Sequence, residues 1–275
     1  MAEKKVKAAE EKAEAKKHPV HGKVNVYDLK GEVAGEAALP QAFKSELRPD
    51  VIRRAVTAIE ANRRQPYAPK PTAGQRHSVE TWGKGRGVSR VQRIKNSSTG
   101  AQSPNNVGGR RAHPPKVDKD LGKKINKKEL SMARMSALGA TSDPEAVKAR
   151  GHRFDDELTV PVVVKDDFEA IKSTKDAVEA FGAIGVLDDV ERAKQGTGIR
   201  AGRGKMRGRR YRTPRSILVV VSKKCDLARS VRNLPGVDVS IPAKLNASVL
   251  APGGAPGRLM VISEAALAAI GGWSR

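Results

Sequence analysis

The chain has 275 residues, 38% apolar and only 3% aromatic, and a formal net charge of +23. This composition excludes a chain packed throughout into one core, and so large an excess of one sign repels itself unless a polyanion, nucleic acid or an anionic membrane, shares the charge. The longest apolar run, Ile217 to Val221, is far short of a bilayer-spanning helix, the first residues lack an apolar signal core, and the single Cys225 rules out an internal disulfide or a cysteine-rich zinc site.

Residues 1–20 form a low-complexity Lys/Glu/Ala leader, expected to be disordered. Lys23 to Leu29 and Glu32 to Glu36 read as short strands turned at Gly31. A helix follows, with Pro49 and Asp50 in its first turn and Val51, Ile52, Ala55, Val56 and Ile59 as its apolar stripe; Arg63 and Arg64 complement its C-terminal dipole. Asn126 with Glu129 resembles a capping box opening a helix through Leu138, and Asp143 with Pro144 starts a short helix ending near Gly151.

Strands and helices then alternate. Val160 to Val164 is expected to be a buried strand, Ser173 or Thr174 to start a helix, Ile184 to Leu187 to form another strand, and Asp188 with Asp189 to cap the stretch that follows. Strands at Ile217 to Val221, Val237 to Ile241 and Leu259 to Ile262, a helix from Leu227 and a last helix capped by Ser263 complete the pattern. The expectation is an α/β fold: a single globular domain, residues 21–65 and 117–275, with a mainly parallel sheet flanked by helices and a long basic internal arm at 66–116.

Nearly all the excess charge sits in two segments. From Arg63 to Lys116 twelve bases (Arg63, Arg64, Lys70, Arg76, Lys84, Arg86, Arg90, Arg93, Lys95, Arg110, Arg111 and Lys116) face one acid, Glu80. From Arg192 to Arg215 ten bases, among them Arg200, Arg203, Lys205, Arg207, Arg209, Arg210 and Arg212, face none. Net +11 and +10 leave only +2 for everything else. Both segments are rich in Gly, Pro, Ser, Thr or Asn and lack apolar periodicity, so they are expected to be loops or arms whose contacts a partner supplies.

Catalytic readings are weak. Gly196, Gly198, Gly202 and Gly204 have the wrong spacing for a dinucleotide fingerprint, and Gly204-Lys205 fails as a P-loop because Ile199 and Met206 stand where Gly and Ser or Thr belong. The acid pairs Asp155-Asp156, Asp166-Asp167 and Asp188-Asp189 keep open a magnesium-dependent RNA-processing enzyme as the alternative; whether Asp166 and Asp167 cap a helix or converge on a metal discriminates the two. His18 and His21 lie in the leader and His77 and His113 in the arm, without a suggestive carboxylate spacing. No catalytic residue, metal or cofactor is expected.

Interleaved Gly and Arg suit RNA. Glycine permits close backbone approach, and arginine presents a flat fork matching phosphate. WGKGRG at 82–87 and RAGRGKMRGRR at 200–210 follow this grammar, with Trp82, in preference to Tyr211, as the residue to stack on an unpaired base and His113 as an RNA-facing imidazole.

These motifs, with RPDVIRRAV at 48–56, NRRQPY at 62–67, GGRRAHPPK at 108–116, RGH at 150–152 and LAPGGAPGRL at 250–259, occur in an order that resembles the universal large-subunit ribosomal protein L-four family in its archaeal and eukaryotic form. The similarity runs from about Lys23 to Trp273, and the short C-terminus looks archaeal. The resemblance implies a non-enzymatic structural protein of the cytoplasmic ribosome that binds large-subunit ribosomal RNA and neighbouring ribosomal proteins, not membrane. It also implies an arm, with Arg76 to Lys95 near its tip, that reaches the wall of the exit tunnel and meets the nascent polypeptide. Two stretches depart from the family: the leader, and Asn96 to Val107, which is unusually polar.

Overall fold

Three strands, β5 (Val162–Val164), β8 (Leu218–Val220) and β10 (Met260–Ser263), are almost wholly apolar because both faces of the sheet are covered. Side chains alternate between faces: Val163, Leu218, Val220, Met260 and Ile262 enter one buried cluster, Val162, Val164, Val219 and Val261 the other. The structure, a computed structural model, describes residues 22–273. The leader expected at 1–20 lies outside the described residues.

The strands join β1 (Lys23–Tyr27), β2 (Val33–Ala38) and β9 (Asp238–Ser240) in the order β2-β1-β5-β10-β8-β9. Every pairing is parallel except that of β1 with β2. One face is packed by α1 (Pro49–Asn62) through Ile52, Ala55 and Val56, by α2 (Lys127–Gly139) through Ala133 and Leu138, and by α8 (Glu264–Gly271) through Leu267 and Ile270. The other is packed by α4 (Thr174–Ile184) through Ala177 and Phe181, by α5 (Leu187–Gln195) through Val190, and by α6 (Leu227–Val231) through Leu227 and Val231. Each large apolar side chain buried in this way contributes roughly 1.5–3 kcal/mol.

Local signals set the element ends. Asp143 accepts from the Glu145 N–H at the start of α3 (Pro144–Ala149), Ser173 from Lys175 and Ser263 from Ala266. Asn126 accepts from Lys128, but Glu129 pairs with Arg54 at 3.3 Å instead of closing a capping box.

Ile184 to Leu187 is not a strand. Ile184 ends α4, Gly185 adopts the left-handed φ of +88° that terminates it, and Leu187 already begins α5. The four residues look strand-like because Ile184, Val186 and Leu187 all pack into the core at this corner. Nor does Asp189 cap α5: it is fully buried and serves the network described below.

Arg258 is the largest fully buried side chain. Its guanidinium donates to Asp238 Oδ2 at 2.7 Å, Val249 O at 2.9 Å and Ser216 O at 3.1 Å, joining the entry of β8, strand β9 and helix α7 (Ala247–Leu250). Burial lowers its pKa, and the Asp238 carboxylate opposes that shift.

Contacts divide the chain into two compact units. One takes the residues up to Glu60 and from Lys124 onward; the other is Ala61–Lys123.

Candidate nucleic-acid interface

The unit Ala61–Lys123 has a backbone framework of its own. β3 (Val79–Glu80) pairs antiparallel with β4 (Arg93–Ile94), and the Lys95 N–H donates to Ser78 O. The chain then doubles back: Ile94 N–H donates to Thr99 O and Ala101 N–H to Gln92 O, leaving Ala101 6% exposed. Gln102, at a left-handed φ of +64°, donates through its side-chain amide to the carbonyls of Gln75 and His77. The unusually polar stretch 96–107 thus spends several of its polar groups on the unit itself. At the root, Asn62 and Lys123 exchange two hydrogen bonds, Lys123 N–H to Asn62 Oδ1 at 2.9 Å and Asn62 Nδ2 to Lys123 O at 3.3 Å.

On this framework the cations point outward. Arg63, Arg64, Lys70, Arg76, Lys84, Arg86, Arg90, Lys95, Arg111, His113 and Lys116 are exposed, and Arg110 is half-buried. Arg93 is different: half-buried, it lies with its guanidinium 5.2 Å from the Trp82 ring centroid and donates to Ser98 O and Ser89 Oγ. Its fork is engaged within the unit. Trp82 remains 38% exposed beneath it.

The second basic segment is a hairpin. β6 (Gly198–Ile199) pairs with β7 (Tyr211–Arg212), Arg200 N–H donates to Arg210 O, and a short 3-10 turn spans Arg203–Arg207. Its outermost bases are tied to the domain: Arg192 Nε donates to Asp189 Oδ1 and Arg215 Nη1 to Asp238 Oδ1, each at 2.8 Å. Between these anchors Arg200, Arg203, Lys205, Arg207, Arg209, Arg210 and Arg212 are exposed, beside Met206 and Tyr211 at 78% and 60% exposure. Among the described residues, none of the cations proposed from sequence in either segment pairs with a carboxylate.

Sequence reasoning missed His152. Its Nδ1 lies 2.9 Å from Asp189 Oδ2, with the imidazole 2% exposed, and Asp189 Oδ1 also accepts from Arg153 N–H and Arg192 Nε. Burial holds the imidazole pKa below its ordinary value although Asp189 pulls the other way. Burial pushes the Asp189 carboxyl up, but the bonds from His152 and Arg192 outweigh that and keep it low. The partners are 37 residues apart in sequence, and no spacing rule links them.

One member of each acid pair is engaged in the fold. Asp166 accepts from the Ala265 N–H and so caps α8, Asp156 pairs with Lys148, and Asp189 belongs to the network just described. Among the described residues no group of three or more His, Cys, Asp or Glu side chains is placed to hold a metal ion, and no helix is long and apolar enough to cross a membrane.

Comparison with known proteins gives a consistent set of relatives. The profile of the Ribosomal protein L4/L1 family matches residues 37–273. The large ribosomal subunit protein uL4 of Archaeoglobus fulgidus is 49% identical over 251 residues, 91% of this chain and 99% of that protein. The proteins of the same name from Methanocaldococcus jannaschii and Thermoplasma acidophilum are 50% and 46% identical over 245 residues, in both cases 89% of this chain and 96% of the relative.

Proposed function

The chain belongs to the ribosomal protein L4/L1 family in its archaeal form, and from that premise we propose how its two units divide the work of a structural constituent of the large ribosomal subunit. It is a structural protein and not an enzyme; its partners are large-subunit ribosomal RNA and neighbouring ribosomal proteins, in the ribosome of the cytoplasm.

The globular domain, residues 21–65 and 117–275, acts as the anchor, and 66–116 acts as an inserted RNA-binding arm. Arg76 to Lys95 lies near the tip, lines part of the exit tunnel and meets the nascent chain. Arg63, Arg64, Lys70, Arg76, Lys84, Arg86, Arg90, Lys95, Arg110, Arg111, His113 and Lys116 of the arm, with Arg200, Arg203, Lys205, Arg207, Arg209, Arg210 and Arg212 of the hairpin, contact the RNA backbone. Trp82 stacks on a base with its free surface. Arg93 contributes by holding Trp82 and Ser89 in place.

One observation carries this reading: cations that meet no carboxylate among the described residues are gathered on two segments with backbone hydrogen bonds of their own, as a phosphate-binding surface needs. Such contacts position RNA by shape and demand no chemistry of the protein. The test is binding of the intact chain to large-subunit ribosomal RNA across ionic strengths. If about ten phosphates are neutralised, the logarithm of affinity falls with the logarithm of salt at a slope of roughly −7 to −9. A slope near zero would remove the electrostatic basis.

A further inference from the structure

Beyond the ladder of β3 and β4 the chain curls through Gly83, Lys84, Gly85, Arg86, Gly87 and Val88, bending sharply at every residue from Lys84 to Val88. Gly83, Gly85 and Gly87 hold φ of +74°, +80° and +66°, whereas Lys84 and Arg86 do not have positive φ. Where positive φ at one residue alternates with a right-handed turn at the next, neighbouring N–H groups face one side, and the resulting concavity carries partial positive charge without any side chain. Only glycine takes the positive positions freely.

Internal crowding does not explain these glycines. A Cβ built on Gly83, Gly85 or Gly87 would meet no atom within 4 Å, so their value lies in the backbone angle and the space beside them is open. Among the described residues, no backbone N–H from Thr81 to Gln92 outside the strands donates a hydrogen bond within the chain. These exposed donors are not committed to partners in the fold, so a ligand has only water to displace from them.

The loop is also held ready. Arg93 lies against Trp82 on one side of it and donates to Ser89 Oγ on the other, so a single side chain ties both ends. Exposed Lys84, Arg86 and Arg90 flank it without a carboxylate partner among the described residues.

We infer that Gly83 to Val88 is a backbone nest for one phosphate group, gripped by main-chain N–H groups, with Lys84 and Arg86 as flanking charges. That the phosphate is an RNA phosphodiester rests on the function proposed above; the nest itself does not. Its neutral donors add affinity and fix the position of a phosphate, while the flanking cations carry the salt dependence.

The experiment uses the full chain, labelled with nitrogen-15 at glycine and titrated with inorganic phosphate and then dimethyl phosphate against sodium chloride of equal ionic strength. With both phosphates, the Gly85 and Gly87 amide protons move downfield and saturate, while Gly253, Gly254 and Gly257, which also hold positive φ, stay still. Equal movement in both groups, or none, overturns the nest. A response to inorganic phosphate alone overturns the assignment to a phosphodiester.

Binding to ribosomal RNA gives a second readout. Gly85→Ala lowers affinity about tenfold with an unchanged salt slope, because the donors it misaligns are uncharged. Lys84→Gln makes the slope shallower by roughly 0.7–0.9. An affinity within twofold of the parent for Gly85→Ala overturns the nest, whereas a parent chain that shows no salt-dependent RNA binding overturns the proposed function and leaves the phosphate titration to judge the nest by itself.

Discussion

Arg258 and Arg86 are the same residue type in opposite circumstances. Arg258 is 0% exposed and delivers its donors to Asp238 and to backbone carbonyls, whereas Arg86 stands in the open with no carboxylate beside it among the described residues. The contrast extends to their surroundings. In the domain Arg192, Arg215, Arg54 and Lys148 each meet an acid; in the arm and the middle of the hairpin the bases meet none among the described residues. The excess charge is therefore not spread evenly: it is concentrated in two segments whose bases mostly stand exposed, whereas these four bases of the domain are paired within the fold.

The largest effect expected from this contrast is on stability. Arg258→Met removes a buried guanidinium from Asp238 and from several backbone carbonyls and lowers the free energy of unfolding by roughly 3–5 kcal/mol, read by denaturant titration. RNA affinity of the folded variant stays unchanged. A loss below about 1 kcal/mol would mean that the buried charge is not a fixture of the fold.

A change of opposite kind comes next. Replacing Arg203, Arg207, Arg209 and Arg210 with Gln weakens binding to ribosomal RNA on the order of a hundredfold at 0.1 M salt and makes the salt slope shallower by about 3. Circular dichroism and the unfolding midpoint stay as in the parent. Concurrent unfolding would show that the hairpin belongs with Arg258 and not with Arg86.

The smallest effect concerns pH. Burial holds the folded pKa of His152 below the ordinary 6.5, so as pH falls through 6.5 the unfolded chain takes up the proton first. Stability is complete above that value and declines as pH drops towards the folded pKa. Asp189, whose folded pKa is also lowered, adds its own loss only in more acid solution, as pH falls through that value. Denaturation midpoints between pH 7.5 and 5 should decline for the parent and flatten for His152→Gln. A parent profile without slope would contradict a neutral buried imidazole.

Much of the domain was legible because its cues are local. Ser263 and Asp143 announce helix starts by capping, and Val219 and Val261 announce strands by sitting in apolar runs that only a doubly covered sheet can bury. Where two meanings share one pattern, the reading failed: Ile184 to Leu187 is apolar because it lines a corner, and four residues cannot distinguish a corner from a strand.

The exposure of the basic segments is legible in their composition, but the backbone that carries them is not. Arg200 and Lys84 betray their exposure through a context of Gly and Arg, but Arg93 reads identically and is turned inward by Trp82 and Ser89. Gln102 gives no hint in sequence that it bonds to Gln75 and His77, because that depends on a left-handed turn at a non-glycine residue. His152 and Asp189 meet only through tertiary packing.

Asn62 and Lys123 bond to each other where one unit gives way to the other. By clasping the chain at its point of departure and return, they make the intervening 60 residues or so an excursion whose length the domain does not register. Lengthening or shortening that excursion leaves the clasp the same two residues to join. An arm lengthened, shortened or exchanged at this seam is then expected to leave the sheet undisturbed.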